Sequence, residues 1–151
     1  MLTPLDETIK TITAYGINHH TADAAVREKI AFSPAETASA LTDCRRQTGV
    51  DEVALLSTCN RSELYTVGGH SAHVAAWLAT YKHLDPTALA PLTFQVHNRD
   101  AIRHIYRVAS GLDSLILGEP QILGQIKQAY RLGQQAGTIG SVNLTDRKSV
   151  V

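Results

Sequence analysis

The sequence predicts an α+β domain of the ferredoxin-like, split-βαβ kind, an antiparallel sheet with helices on one face, plus C-terminal helices. Three observations predict it. Period-two and helical patterns follow one another as strand, helix, strand, strand, helix, strand, with two more helices after them. Two of the strands are joined by a link too short for anything but a tight turn. The 151 residues, 44% hydrophobic and 19% charged, make one ordinary globule with chain enough for a core. Such a fold hosts many functions and argues for none.

Composition removes several function classes. The formal net charge is zero, which leaves no overall electrostatic footprint for nucleic acid or membrane. No apolar run is long enough to span a bilayer, and the N-terminus does not read as a signal peptide. Cys44 and Cys59 fall on segments of different type and read as free thiols of a reducing cytoplasm. No zinc-ligand spacing is present.

Met1 to Lys10 is a polar lead. Thr11 to Asn18 (TITAYGIN) alternates as a strand, and Gly16 inside it marks a bulge or the close approach of another backbone. Asn18-His19-His20-Thr21 is a polar loop, with Thr21 placed to cap a short helix from Ala22 to Ile30. Two adjacent histidines with no third ligand nearby make a poor metal site. Ser33-Pro34-Ala35-Glu36 is a capping box with proline at the first helical position. That helix runs to about Gln47, and Gly49 ends it.

Val53 to Ser57 is a buried strand that runs into Thr58, Cys59, Asn60 and Arg61, after which a second strand alternates to Val67. The join is a turn in which Asn60 tolerates positive φ. Alternation puts Cys59 on the face of Val53, Leu55 and Ser57. A thiol on a rigid strand end is a well-mounted nucleophile. Its ordinary pKa of about 8.5 leaves roughly a few per cent thiolate at pH 7, and a cation such as Arg61 would raise that fraction. Arginine also offers a fork of donors suited to a carboxylate. The competing reading is a buried structural cysteine beside a surface ion pair of Arg61 and Glu63.

Gly68-Gly69 ends the second strand of the pair. Ser71 to Leu84 is an amphipathic helix with Val74, Trp77, Leu78 and Tyr81 on one face and Asp85-Pro86 as its stop. Leu92 to Val96 is a fourth strand. Asn98 to Leu112 is a helix with Ile102, Ile105, Tyr106, Ala109 and Leu112 as its core face and His104 at the stripe's edge. Arg99, Arg103 and Arg107 form a basic row on another face, either solvated or in contact with phosphates. Pro120 suits the first turn of a last helix that runs to about Gln135. Its stripe is Ile122, Ile126, Ala129, Tyr130 and Gly133. Beside that stripe lie Gln121, Gln125 and Gln128, a solvated face or a set of uncharged donors and acceptors for a polar ligand.

Three stretches, GINHHTADAAVREKIAFSP, LLSTCNRSELY and VASGLDSLILGEPQILGQIKQAY, together resemble the N-terminal catalytic domain of glutamyl-tRNA reductase, in order and over roughly Ile12 to Gln135. The resemblance implies NADPH-dependent reduction of glutamyl-tRNA to glutamate-1-semialdehyde, the first committed step of tetrapyrrole (haem) synthesis. It implies that Cys59 attacks the aminoacyl ester and holds a glutamyl thioester. It implies that Thr58, Cys59, Asn60 and Arg61 line the glutamate pocket, that Ser114, Glu119, Pro120, Gln121 and Gln125 complete it, and that His104 matches the family's activity-critical histidine. His104 is either an acid/base group or a positioning group. Partners implied are glutamyl-tRNA, a second copy in a homodimer, and glutamate-1-semialdehyde aminomutase as recipient of the product; no membrane is implied.

The family continues into an NADPH-binding domain and a dimerisation domain, and this sequence holds no G-x-G-x-x-G. The expectation is therefore a catalytic domain over residues 1–140, with both downstream domains absent. Residues 141–151 read as a truncated tail whose final DRKSVV is not native sequence. Alone, such a chain is expected to be a thiol-dependent glutamyl-tRNA esterase. The other reading is a non-catalytic RNA-binding domain that uses the arginine row.

Overall fold

A computed structural model describes residues 10–113 and 121–140. The elements are β1 (Ile12–Asn18), α1 (Ala24–Ile30), α2 (Pro34–Thr48), β2 (Glu52–Ser57), β3 (Arg61–Val67) and α3 (Ser71–Tyr81). A one-turn α4 (Pro86–Leu89) and a 3-10 turn (Ala90–Leu92) lead into β4 (Phe94–His97), α5 (Asn98–Ala109) and α6 (Gln121–Ala136). The strands stand in the order β2-β3-β1-β4, each antiparallel to its neighbour, which is the expected split-βαβ arrangement.

Local chemistry explains most of the boundaries. Ser33 and Glu36 exchange side-chain-to-backbone hydrogen bonds at the start of α2, and Gly49, at φ 76°, caps its end. The cap of α1 is Asp23, whose carboxylate accepts from the Val26 N–H, and not Thr21. The Thr21 hydroxyl is taken up by Asn18, accepting from its N–H and donating to its carbonyl. Helix α3 stops at Tyr81, because His83 takes a φ of 56° and turns the chain towards α4, which the sequence pattern missed. The fourth strand begins at Phe94, two residues later than expected, since Pro91 lies within the 3-10 turn.

The sheet is covered on both faces. Helices α2 and α3 bury Leu41, Val74, Trp77 and Leu78 against Tyr15, Ile17, Val53, Leu55 and Leu64. Helices α5 and α6 cover the other face, where Val108, Ile122 and Ala129 pack on Leu56. The core face of α5 differs from expectation. Ala101 and Val108 are buried, while Ile102 and Tyr106 are 42% and 72% exposed and Leu112 is exposed too. The face turned to the sheet is thus the one carrying Ala101 and Val108. Tyr130 of α6 is likewise exposed.

Gly16 resolves as a close approach. It stands opposite Glu63, and a Cβ there would collide with the Ser62 carbonyl oxygen and lie 2.8 Å from the Glu63 Cα. After α6, Thr138 caps the outer edge of β2: its carbonyl accepts from the Val53 N–H, and its hydroxyl donates to the Val53 carbonyl.

Candidate active site

The β2–β3 hairpin delivers the thiol. Thr58 N–H donates to the Arg61 carbonyl across a two-residue loop, Cys59-Asn60. Asn60 does not adopt positive φ; its N–H donates to the Thr58 hydroxyl oxygen at 3.1 Å, which tightens the loop without left-handed backbone. Arg27 of α1 clamps the loop from outside, donating from Nε to the Cys59 carbonyl (3.1 Å) and from Nη1 to the Ala22 carbonyl (2.8 Å). Cys59 is exposed and lines a cleft with Ser57 and Thr58, together with Arg27, Ala31 and Phe32; it lies in the turn past the end of β2, where strand alternation no longer sorts the side chains. The wall of that cleft is stiff. Phe32 stacks on Trp77 and Tyr81, and the Lys82 ammonium sits 3.9 Å from its ring centroid. Cys44, by contrast, is sealed inside α2, and burial pushes its thiol up to about 12.

On the opposite face of β3, alternation lines up Arg61, Glu63 and Tyr65 beneath α5. Arg61 is 1% exposed and Glu63 is fully buried. Their ion pair, 2.8 Å long, is therefore internal and not the surface pair that the sequence suggests. The Arg61 Nη1 also meets the Asp113 carboxylate at 3.0 Å, and Nη2 donates to the Asp113 carbonyl at 2.6 Å. Glu63 collects a full set of donors: Arg61, the Tyr65 hydroxyl at 2.6 Å, Asn18 Nδ2 at 3.4 Å and His104 Nε2 at 2.8 Å. His104 comes from α5 with its ring against Phe94. Because an ionised Glu63 can only accept, the contact sets an imidazole proton on Nε2.

The electrostatics follow from that packing. Burial works to raise the Glu63 carboxyl, but the hydrogen bond and charge of His104, with Arg61 and Tyr65, hold it below the usual range. Asp113 behaves alike: burial raises it, and Arg61 outweighs burial. Burial disfavours the Arg61 cation, yet Glu63 and Asp113 keep it charged beyond its ordinary value. Tyr65, desolvated and beside Glu63, is held protonated as a donor. The cluster reaches solvent at His20, 60% exposed, whose Nε2 lies 3.4 Å from Asp113. His19 packs at a tilt against His20, its Nδ1 is buried without a partner among the described residues, and burial followed by the nearby His20 and Arg61 charges lowers its pKa.

The expected residues are therefore partly gathered. Thr58, Cys59, Asn60 and Arg61 follow one another around one turn, with the Cys59 cleft on one face of the hairpin and the Arg61 side chain on the other, where Glu63 links it to His104. Gln125 and Gln128 line a second cleft, against Leu55 and Leu56, which shares Phe32 and Ser57 with the Cys59 cleft. Gln121 opens α6, but its side chain lies outside the described residues, as do Ser114, Glu119 and Pro120 and residues 141–151. Glu63, Tyr65, Asn18 and Asp113 belong to the cluster although the sequence pattern did not mark them as site residues. The alternation of Arg61, Glu63 and Tyr65 was the available signal. Among the described residues, no three histidine, cysteine, aspartate or glutamate side chains gather as a metal-ligand set, and no helix is long and apolar enough to cross a membrane.

Comparison with known proteins bears on the chain's family and fold. Residues 15–146 match the family model described as the glutamyl-tRNA(Glu) reductase N-terminal domain. A glutamyl-tRNA reductase of Aromatoleum aromaticum is 50% identical over 129 residues, covering 85% of this chain and 31% of the relative. One from Nitrosococcus oceani is 50% identical over 133 residues, covering 87% and 32%. The solved glutamyl-tRNA reductase from Methanopyrus kandleri superimposes with a TM-score of 0.69 at 34% identity, over 85% of this chain and 29% of that one. The chain thus spans about a third of the length of the curated relatives it matches.

Proposed function

The chain belongs to the glutamyl-tRNA reductase N-terminal domain family, and from that premise we propose that it performs the acyl-transfer half of a glutamyl-tRNA reductase. The Cys59 sulfur attacks the carbonyl carbon of the aminoacyl ester. An S–C bond forms, the C–O bond to the ribose breaks, and the thiol proton ends on the departing ribose oxygen. The product is a glutamyl thioester and free tRNA. The observation that carries this reading is Cys59 itself: an exposed thiol on a clamped hairpin loop, at the rim of a cleft, two residues away from a buried guanidinium.

In this reading Arg61 holds the glutamate side-chain carboxylate, taking it on the edge now given to Asp113, which is the end of the cluster nearest solvent. Thr58 and Asn60 shape the loop. Gln125, with Ser114, Glu119, Pro120 and Gln121, completes the pocket. His104, oriented by Glu63, is the acid/base or positioning group for the departing oxygen.

NADPH is the reductant that family membership implies, and the described residues do not fit it. The double-glycine turn Gly68-Gly69 ahead of α3 is filled by the Asp51 carboxylate and Val50, an anion where a pyrophosphate needs donors. We derive no hydride step from these residues. Reduction to glutamate-1-semialdehyde, NADPH binding, pairing as a homodimer and hand-off to glutamate-1-semialdehyde aminomutase belong to the proposal for the whole protein. Residues 1–140 are its proposed catalytic domain, and the cytoplasm its proposed place.

Single-turnover reaction with radiolabelled glutamyl-tRNA tests the reading. The expected result is a thiol-dependent covalent adduct on Cys59 that releases glutamate slowly, with no semialdehyde at any NADPH concentration. Binding without an adduct would overturn acyl transfer and favour an RNA-binding module. Semialdehyde that depends on NADPH would show that this chain holds the cofactor itself.

A further inference from the structure

The helix that lends His104 to the Glu63 cluster also carries three arginines that the chemistry above leaves unused. Arg99, Arg103 and Arg107 recur every fourth residue of α5, so they stand about 6 Å apart along its axis. All three are exposed, and among the described residues none lies within ion-pair distance of a carboxylate. Asp100, the one acid on the helix, is exposed as well and makes no such pair with Arg103. Like charges four residues apart weaken a helix. The row is kept in a chain whose formal net charge is zero, so it is a local segregation of charge and not a share of a general surplus.

The direction of α5 gives the row an address. The helix starts at the Ile12 end of β1, where Asn98 Oδ1 accepts from the Ile12 N–H. It runs towards the Asn18 end, where Asp113 reaches Arg61. Arg107 stands at the site end, and its carbonyl accepts from the Leu112 and Asp113 N–H groups that bring the chain round to Arg61. The cationic row therefore leads along the outside of the helix to the end of the sheet that carries the Cys59 loop.

Resting on the reading of glutamyl-tRNA as acyl donor, we propose that Arg99, Arg103 and Arg107 form a phosphate-binding track for the acceptor arm of the tRNA, guiding its aminoacylated end to Cys59. Arginine forks suit phosphate oxygens, and their spacing on α5 is comparable to that of successive backbone phosphates. Contacts of this kind position an RNA without reading its sequence, so the row needs no base-reading groups beside it.

The test is binding of this chain to an unacylated tRNA(Glu) transcript at several salt concentrations, with thermal unfolding as the control for folding. For R99Q/R103Q/R107Q the expected result is at least a tenfold loss of affinity at low salt. The slope of log affinity against log salt should become shallower by about 2–3, at roughly 0.7–0.9 for each of three phosphates no longer neutralised. R103Q alone should remove about one such step. Wild-type affinity and slope in the triple variant, with wild-type protein binding and being acylated, would overturn the track alone. A wild-type chain that binds no tRNA at low salt would overturn the track and the reading of tRNA as donor together. Equal loss with an acidic protein competitor but none with tRNA would assign the row to a protein partner and overturn the proposal.

Discussion

Arg61 and Glu63, two residues apart on one strand, meet in an ion pair of 2.8 Å with both side chains closed off from solvent. Two charges so placed are held only because each is fully partnered, Arg61 by Asp113 and Glu63 by His104, Tyr65 and Asn18. The pair is a foundation for the site on the hairpin above it, and its removal has consequences for stability and for chemistry.

Glu63→Gln should lower stability by roughly 3–5 kcal/mol, since it leaves a buried guanidinium short of a partner. In a chain of this length that is a fall of about 2–4 °C in Tm for each kcal/mol. The pH dependence should change with it. A carboxyl held below its unfolded value contributes stability that is present above the unfolded pKa of about 4.3 and is lost as pH falls through the lower folded value. Urea melts from pH 7 down to pH 3 should therefore show a shallower acid loss in the variant than in wild type. Equal slopes would mean that Glu63 is not held ionised by its partners.

Cys59 and Cys44 should separate cleanly in alkylation. Iodoacetamide should label Cys59 in the native chain and reach Cys44 only on unfolding, because Cys44 is sealed and its thiol is raised to about 12. Cys59→Ser should abolish the glutamyl adduct, an alkoxide being far rarer than a thiolate at neutral pH. Cys44→Ser should keep the adduct at a stability cost of about 1 kcal/mol. Peptide mapping of the labelled chain decides, and preferential labelling of Cys44 would remove Cys59 from its assigned role.

Arg61→Lys should not behave as a conservative change. A lysine ammonium cannot reproduce two nitrogens that serve Glu63 and both oxygens offered by Asp113. Loss of a fork to a desolvated carboxylate typically costs about 2–5 kcal/mol. Melting temperature reports the structural share. The ratio of adduct formed from glutamyl-tRNA to that from glutaminyl-tRNA reports the recognition share, and it should fall. An unchanged ratio in a folded variant would take substrate recognition away from Arg61.

Gly16→Ala should force β1 away from β3, since the new methyl has the Ser62 carbonyl and the Glu63 Cα in its way. Both obstacles are backbone, so the overpacking should cost about 1–3 kcal/mol. It should also loosen the Glu63–His104 contact across the same register position, visible as altered hydrogen exchange of the β3 amides. Wild-type stability would show that the two strands can part there without loss.

Much of this molecule is legible without any coordinates. The capping box at Ser33 and the hairpin around Cys59-Asn60 rest on interactions among residues close in sequence, where pattern is a physical signal, and the split-βαβ strand order followed from the order of elements although β1 pairs with β3 and β4 across long stretches of chain. The α5 face departs from its pattern, because tertiary packing decides which side of a helix meets the sheet. Hydrophobicity alone favours Ile102 and Tyr106, whereas the packing of the helix on the sheet buries Ala101 and Val108.

By itself, then, the sequence determined the strands, most of the helices, the position of the thiol and the family. Only the tertiary structure decided that Glu63 is an internal carboxylate, that His104 is tied to it across 41 residues, and that Asp113 closes the far side of Arg61. Period-two alternation says which side chains share a face of β3, but not whether that face meets water or a helix. Whether α5 and α6 cover it depends on contacts far apart in sequence. Those contacts set the burial, and burial sets the cost of each charge and therefore which partners it must have.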